Sequence, residues 1–171
     1  MVKTVKFQEG KYIGDPINAV KVFNVKEVDE LVFLDITKTN ELKEPNFELL
    51  EDIASEAFMP MAYGGGLSSI GQIEKVFSIG FEKIILNTVT LTNPSVVRDA
   101  VRLAGSSGVV ASVDVKTSLL GRKNVWTNSG TKKHNVDLLE HIKKMEGLGV
   151  GEILLGSVDR DGTGTGYDLD L

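Results

Sequence analysis

Five short apolar runs, evenly spaced and nearly free of polar alternation, constrain this chain more than any other feature. They are Leu31–Leu34 and residues 58–62, 84–86, 109–113 and 153–155. A strand with one face in water alternates apolar and polar residues, whereas a parallel strand covered on both faces does not. Between the runs, apolar residues recur at helical spacing: Ile70, Ile73, Val76 and Phe77 on one face, and Leu138, Leu139, Ile142, Met145 and Leu148 on another. Asp15-Pro16 and Asn93-Pro94 each set a capping side chain before a proline at the first helical position, and Asn46 and Ser68 are further cap candidates.

The runs start at 31, 58, 84, 109 and 153, so the first three intervals are 27, 26 and 25 residues, one βα unit each. The last interval, 44 residues, holds an insertion. Turn signals at Leu120-Gly121-Arg122 and Asn128-Ser129-Gly130 flank a β-like Val125-Trp126-Thr127, which predicts a hairpin near 115–134. A regular βα repeat builds either a barrel or an open doubly wound sheet. Residues 28–34 resemble residues 150–156, 122 positions on, as two stacked half-barrels would require. Chance is a rival, because apolar strands resemble one another easily. The expected fold is α/β: a partial parallel (β/α)8 TIM barrel of about five to six units, in a single domain over 1–171.

Composition narrows the function classes. A net charge of −5 disfavours nonspecific nucleic-acid binding. No apolar run is long enough to cross a bilayer. The chain has no cysteine and two histidines, His134 and His141, so thiolate sites are excluded and a histidine metal cluster is not expected. A cytoplasmic small-molecule enzyme without cofactor is the expectation.

In a barrel, function sits at the C-terminal ends of the strands. The polar residues there are Asp35 and Thr37, Gly64-Gly65-Gly66, Asn87-Thr88, Asp114 and Lys116, and Ser157, Asp159, Asp161 and Gly162. Glycines before a helix start let backbone N–H groups approach an anion, and Asn87 and Thr88 add donors one strand later. The same triplet also reads as a tight βα turn. Asp114 closes a buried strand and is a candidate general acid or base; the alternative is a carboxylate paired with Lys116. Asp35 is either catalytic or a support for its neighbours. The Asp159–Gly166 stretch is a polar loop without EF-hand spacing and points to ligand contact rather than to a metal. Glu30, Lys83 and Glu152 each precede a strand at the opposite end, which predicts a salt-bridge ring at the bottom of the barrel, structural or gating.

Taken in order, Phe33-Leu34-Asp35-Ile36-Thr37, Tyr63-Gly64-Gly65-Gly66, Asn87-Thr88, Ser112-Val113-Asp114-Val115-Lys116, Gly151-Glu152-Ile153-Leu154-Leu155, Asp159-Arg160-Asp161-Gly162-Thr163 and Gly166-Tyr167-Asp168 resemble the cyclase-subunit family of imidazole glycerol phosphate synthase. The resemblance runs from about residue 2 to the end. It implies a phosphorylated ribulosyl-type substrate and a heterodimer with a glutaminase that supplies ammonia through the barrel. The products would be imidazole glycerol phosphate and aminoimidazole carboxamide ribotide. It also implies that Asp114 is one of two acid–base aspartates and that Lys3 is a mobile-loop lysine. By the same resemblance Gly66, Asn87 and Thr88 hold one phosphate, Glu30, Lys83 and Glu152 gate ammonia, and Glu82 faces the glutaminase; Gly65, Asp161 and Gly162 are further candidate phosphate contacts from their place in the glycine triplet and the polar loop.

The sequence departs from that pattern. The family's first strand with its aspartate and gate arginine, and its last two strands, have no counterpart in these residues. Gly156 stands where the family usually has threonine, and Thr4 where it has glycine. Open sheet edges at the runs starting at 31 and 153, no cyclase activity, and either marginal stability or association through those edges are therefore expected of the 171 residues alone. Residues 11–20 and 128–133 look closer to a divergent branch that amidates surface sugars. The sister phosphoribosyl isomerase and a non-catalytic phosphate-binding unit are the competing readings.

Overall fold

The computed structural model describes residues 1–36, 44–118 and 120–171; Thr37 lies outside them. A two-stranded antiparallel ribbon, β1 (Val2–Lys3) and β2 (Lys11–Tyr12), comes first. Then follow α1 (Pro16–Val25), β3 (Leu31–Leu34), α2 (Phe47–Glu56), β4 (Met61–Gly64), α3 (Ile70–Ile79) and β5 (Lys83–Leu86). Next come α4 (Thr88–Thr92), α5 (Pro94–Ala104), β6 (Val109–Thr117), β7 (Lys123–Thr127), β8 (Lys132–Lys133), α6 (Leu138–Gly147) and β9 (Glu152–Ser157).

The five strands grown from the apolar runs pair in parallel in the order β3-β4-β5-β6-β9. With every strand pointing the same way, all five C-terminal ends lie along one edge of the sheet. This is the partial parallel barrel expected from the spacing. One boundary moves: the second strand begins at Met61, not at residue 58. Pro60 has no N–H to give a ladder, so its carbonyl only accepts from Leu31 N at 2.9 Å, and Phe58 is left 90% exposed in the preceding turn.

Alternation within the strands sorts two layers. Met61, Tyr63, Ile84, Leu86, Val109 and Ala111 face the helices and meet Ile53, Ile73, Val76 and Val97 in the main core. Ala62, Ile85 and Val110 face the concave side, where Leu154 packs on them. β4 is buried on both faces, as its lack of polar alternation demands. β3 differs: Val32 and Leu34 are 47% and 48% exposed on the concave side.

The caps follow side-chain chemistry. Asp15 accepts from Ile17 N and Asn18 N at the start of α1, and Asn46 accepts from Leu49 N at the start of α2. At α3 the cap is Ser69 rather than Ser68, because only Ser69 has a glutamine, Gln72, three residues on to complete a capping box. Asn93 precedes Pro94 of α5 without a side-chain cap; its carboxamide oxygen accepts from Ser95 Oγ at 2.6 Å instead.

β6 outruns its neighbours and positions the hairpin. Its residues 110–115 pair with β9 on one side, and residues 109–111 pair with β5 on the other. From Asp114 onward the edge above β5 is vacant, and β7 takes it antiparallel, with Asp114 opposite Trp126. The hairpin therefore stands over the end of β5, and α6 packs beneath it through Leu138 and Ile142 on Val113, Val115 and Val125. His141 on α6, buried, meets Thr90 Oγ1 of α4 at 3.2 Å and ties the two elements together.

Ile84 is fully buried at the centre of the main core. Ile84→Ala should lower the unfolding free energy by roughly 2–5 kcal/mol, whereas Val22→Ala on the exposed face of α1 should change it by about 0.5 kcal/mol or less. Urea denaturation of both variants checks this.

Candidate functional site

The shared strand edge opens into a cleft of about 900 Å³, lined among others by Asp35, Gly66, Asn87, Thr88, Asp114 and Asp161. At its centre is Asp114, on the concave face of β6. One carboxylate oxygen, Oδ2, accepts from Asn87 Nδ2 at 2.9 Å, and the same Asn87 nitrogen lies 3.4 Å from Ser112 Oγ. The pKa of Asp114 is pushed up to about 6. Burial is the main cause; the Asn87 hydrogen bond opposes it by favouring the charged form, and the negative charge of Asp161 adds to it. A carboxyl group near pH 6 exchanges protons readily at neutral pH, which suits general acid–base work.

The glycine triplet wraps the end of β4 around Asp35. Gly65 has φ +141°, and a Cβ there would lie 2.6 Å from the carbonyl oxygen of Asp35, so only glycine fits. Tyr63, fully buried, donates its hydroxyl to Gly65 O at 3.0 Å and fixes the turn. Burial, aided by the charge of Asp35, raises the Tyr63 pKa and keeps the phenol neutral. Gly66 and Ser68 line the cleft just before α3.

The structure brings together Asp35, Gly65, Gly66, Asn87, Thr88, Asp114 and Asp161. Gly162 is drawn toward the N-terminal segment, where a Cβ would meet Thr4 O at 2.0 Å. Asp161 is held by the same segment: Thr4 Oγ1 donates to its carboxylate at 3.1 Å and Lys6 N to its carbonyl at 2.9 Å. Lys3 is not among the cleft residues; it sits in β1, exposed, opposite Lys11, while its neighbours Thr4 and Phe7 line the cleft. Asp159 turns to the base of the hairpin and accepts from Thr117 N at 2.7 Å. Asp168 accepts from Ser157 Oγ at 3.0 Å, which, with Lys123 beside it, lowers its pKa.

The hairpin contributes residues that the sequence reading took only as a turn. Asn128 Oδ1 accepts from Thr88 Oγ1 at 3.4 Å, and Ser129 Oγ donates to Ile36 O at 3.3 Å, so the tip reaches back over the mouth from β5 toward β3. Lys132 lines the cleft beside them. Lys116, rather than pairing with Asp114, stacks 4.4 Å above the Trp126 ring and donates to Gly130 O, which stiffens the tip. Contacts across such sequence distances leave no local signal.

At the other end of the sheet, Lys83 Nζ lies 3.1 Å from Glu30 Oε2 and 2.7 Å from Glu152 Oε1. The two hydrogen-bonded carboxylates, Glu152 first, raise the Lys83 pKa and keep it charged. Behind this triad a small cavity of about 110 Å³ is lined by Ala62, Ile85, Val110 and Leu154, and Ile85 also lines the upper cleft. Glu82, next to Lys83, accepts from Met61 N at 2.6 Å and so is tied to its own sheet.

A family model described as "Histidine biosynthesis protein" matches residues 1–171. The chain belongs to this histidine biosynthesis family. It is 46% identical over 171 residues to a Vibrio vulnificus protein provisionally named imidazole glycerol phosphate synthase subunit hisF3, covering 99% of this chain and 66% of that relative. It is 37% identical to imidazole glycerol phosphate synthase subunit HisF of Petrotoga mobilis and 38% identical to that of Thermococcus onnurineus, each over all of this chain and 68% of the relative. The chain thus spans about two thirds of the length of the curated relatives it matches. No helix among the described residues is long and apolar enough to cross a membrane.

The raised pKa of Asp114 sets a pH dependence of stability. Between an unfolded value near 3.8 and the folded value of about 6, the folded state keeps a proton that the unfolded chain has released. Stability is therefore lost as pH rises through this window, and the penalty is complete above about pH 6. Asp114→Asn should stabilise the protein by roughly 1–3 kcal/mol at neutral pH and by almost nothing at about pH 3, as urea denaturation at the two pH values will show.

Proposed function

We propose that the chain is the ammonia-using synthase (cyclase) part of a glutamine amidotransferase of the imidazole glycerol phosphate synthase type. The observation that carries the reading is the placement of two unlike sites at opposite ends of one curled sheet. A carboxyl group poised near neutral pH stands among candidate phosphate donors at the top, and a charged triad over a small, mainly apolar cavity stands at the bottom. A half-exposed ion pair contributes only about 0–1 kcal/mol to stability, so stability gives little reason for a lysine shared by two glutamates from different strands. A gate for a small uncharged base gives one.

In this reading a phosphate of a ribulosyl-type substrate binds to the backbone N–H groups of Gly65 and Gly66, in the turn between β4 and α3, and to Thr88, whose hydroxyl then leaves Asn128. Asn87 holds Asp114. Asp161 is an anion beside Asp114 and serves the acid–base pair better than a phosphate; Gly162 N–H is the phosphate contact on that side. Ammonia enters between Glu30, Lys83 and Glu152, passes Ile85 and attacks the substrate carbonyl. Asp114 takes up and returns the protons that nitrogen addition, loss of water, ring closure and cleavage of the C–N bond to the departing ribotide amine require. The products are imidazole glycerol phosphate and aminoimidazole carboxamide ribotide. A glutaminase docks at the triad end.

The higher identity to the provisionally named hisF3 protein, 46% against 37% and 38% to the two HisF subunits, fits a divergent branch of the family, and a second reading gives the same site a surface sugar as its acceptor. Ammonia chemistry and the gate are common to both readings; the acceptor differs.

Asp114→Asn in the complete protein should reduce ammonia-driven turnover roughly 10²–10⁴-fold with phosphate affinity nearly unchanged. Near-normal turnover would make Asp114 structural. Lys83→Met should change the ratio of glutamine-driven to free-ammonia-driven turnover while leaving substrate KM alone. A constant ratio would remove the gate from the account.

A further inference from the structure

Asp114 and Gly156 are opposite one another in the parallel pairing of β6 with β9, and both face the cleft side of the sheet. Side chains at paired positions of neighbouring strands normally stand next to each other, about 5 Å apart. Here one of them lies down. A Cβ built on Gly156 would come within 2.8 Å of Asp114 Oδ1, while the next nearest atoms, Asp114 Cα and Cγ, are at an ordinary 3.9 Å. The backbone therefore has room for a side chain at position 156, and only the carboxylate is in its way. With Oδ1 over Gly156 and Oδ2 on Asn87 Nδ2, the Asp114 carboxyl bridges the ends of β5 and β9.

We infer that Gly156 is a positioning residue: by carrying no Cβ it lets the Asp114 carboxyl lie across β9 in contact with Asn87, and any side chain at 156 turns that carboxyl up into the open cleft. This deepens the proposed role of Asp114 and rests on it for its meaning in catalysis, but the geometry stands without it. Gly156 has no positive φ, so an alanine fits its extended backbone, where glycine is the less favourable residue. The clash is with the tip of one side chain, so the strain is relieved by rotation of Asp114 and not by a shift of β9. The rotation takes the carboxyl out of the burial that raises its pKa and separates it from Asn87.

The test is carboxyl and side-chain amide NMR on the native chain and on Gly156→Ala. The native Asn87 side-chain amide signals should titrate with Asp114. In Gly156→Ala the Asp114 midpoint should fall by about one pH unit or more, and the Asn87 signals should stop following it. The acid limb of the turnover profile in the complete protein should move down in pH with it. An unchanged or higher midpoint with Asn87 still following would overturn the inference. The double variant Gly156→Ala with Asp114→Ala removes the obstacle and should fold as the native chain does. If it fails to fold, the added carbon meets something other than Asp114, and the inference is wrong. Should Asp114→Asn leave turnover intact while Gly156→Ala still moves the midpoint, the catalytic reading fails and the positioning role survives.

Discussion

Parallel pairing in one register is the constraint on which everything else depends. Phe33 pairs with Tyr63, Tyr63 with Ile84, Ile85 with Val110 and Ser112 with Leu154. A slip of one residue in any strand would exchange its helix-facing and concave-facing side chains. In β4 that slip would send Tyr63 into the cleft and Ala62 into the helix layer. In β6 it would bury the Asp114 carboxylate among Val125, Leu138 and Ile142. The apolar core holds the register because Met61, Tyr63, Ile84, Leu86 and Val109 are locked among the helices while the polar Ser112 and Asp114 stay on the cleft side. The chemistry at the mouth is thus a by-product of packing below it.

The same register accounts for the division of labour between the two ends. Glu30 precedes β3 and Lys83 and Glu152 open β5 and β9, whereas Asp35 and Asn87 follow β3 and β5 and Asp114 lies in the last part of β6, so parallel pairing gathers the first set at the bottom and the second at the top. At the bottom one lysine lies between two carboxylates. At the top, burial, with the negative charge of Asp161 adding to it, makes Asp114 hold its proton toward neutral pH. Asn87 limits that rise, and with Gly156 it fixes where the proton is presented.

Much of this was legible in the residues. Uninterrupted apolar runs at 25–27 residue spacing specify parallel βα units, and a charge before three different strands specifies a ring, since strand starts in a parallel sheet converge. The repeat between residues 28–34 and 150–156 has a physical counterpart: its two glutamates, Glu30 and Glu152, bind the same lysine. The cap at Ser69 was also readable, because Gln72 is three residues beyond it and not beyond Ser68. What escaped was whatever depends on distant segments meeting. Nothing near Asn128 indicates that it will reach Thr88, and nothing near Gly156 indicates that a carboxylate will lie on it. Lys3 was placed by family likeness, and in this structure it sits in β1 paired with Lys11, exposed and outside the cleft lining.

Titration of inorganic phosphate into isotope-labelled protein, followed by backbone amide NMR, tests the central claim most directly: that the strand register assembles an anion site beside a proton-transferring carboxyl. The account predicts saturable shifts that appear first at Gly65, Gly66 and Thr88, with Asp114 responding through Asn87. Shifts confined to Lys132, Lys133 and other surface lysines, with the Gly65, Gly66 and Thr88 amides unmoved, would contradict it.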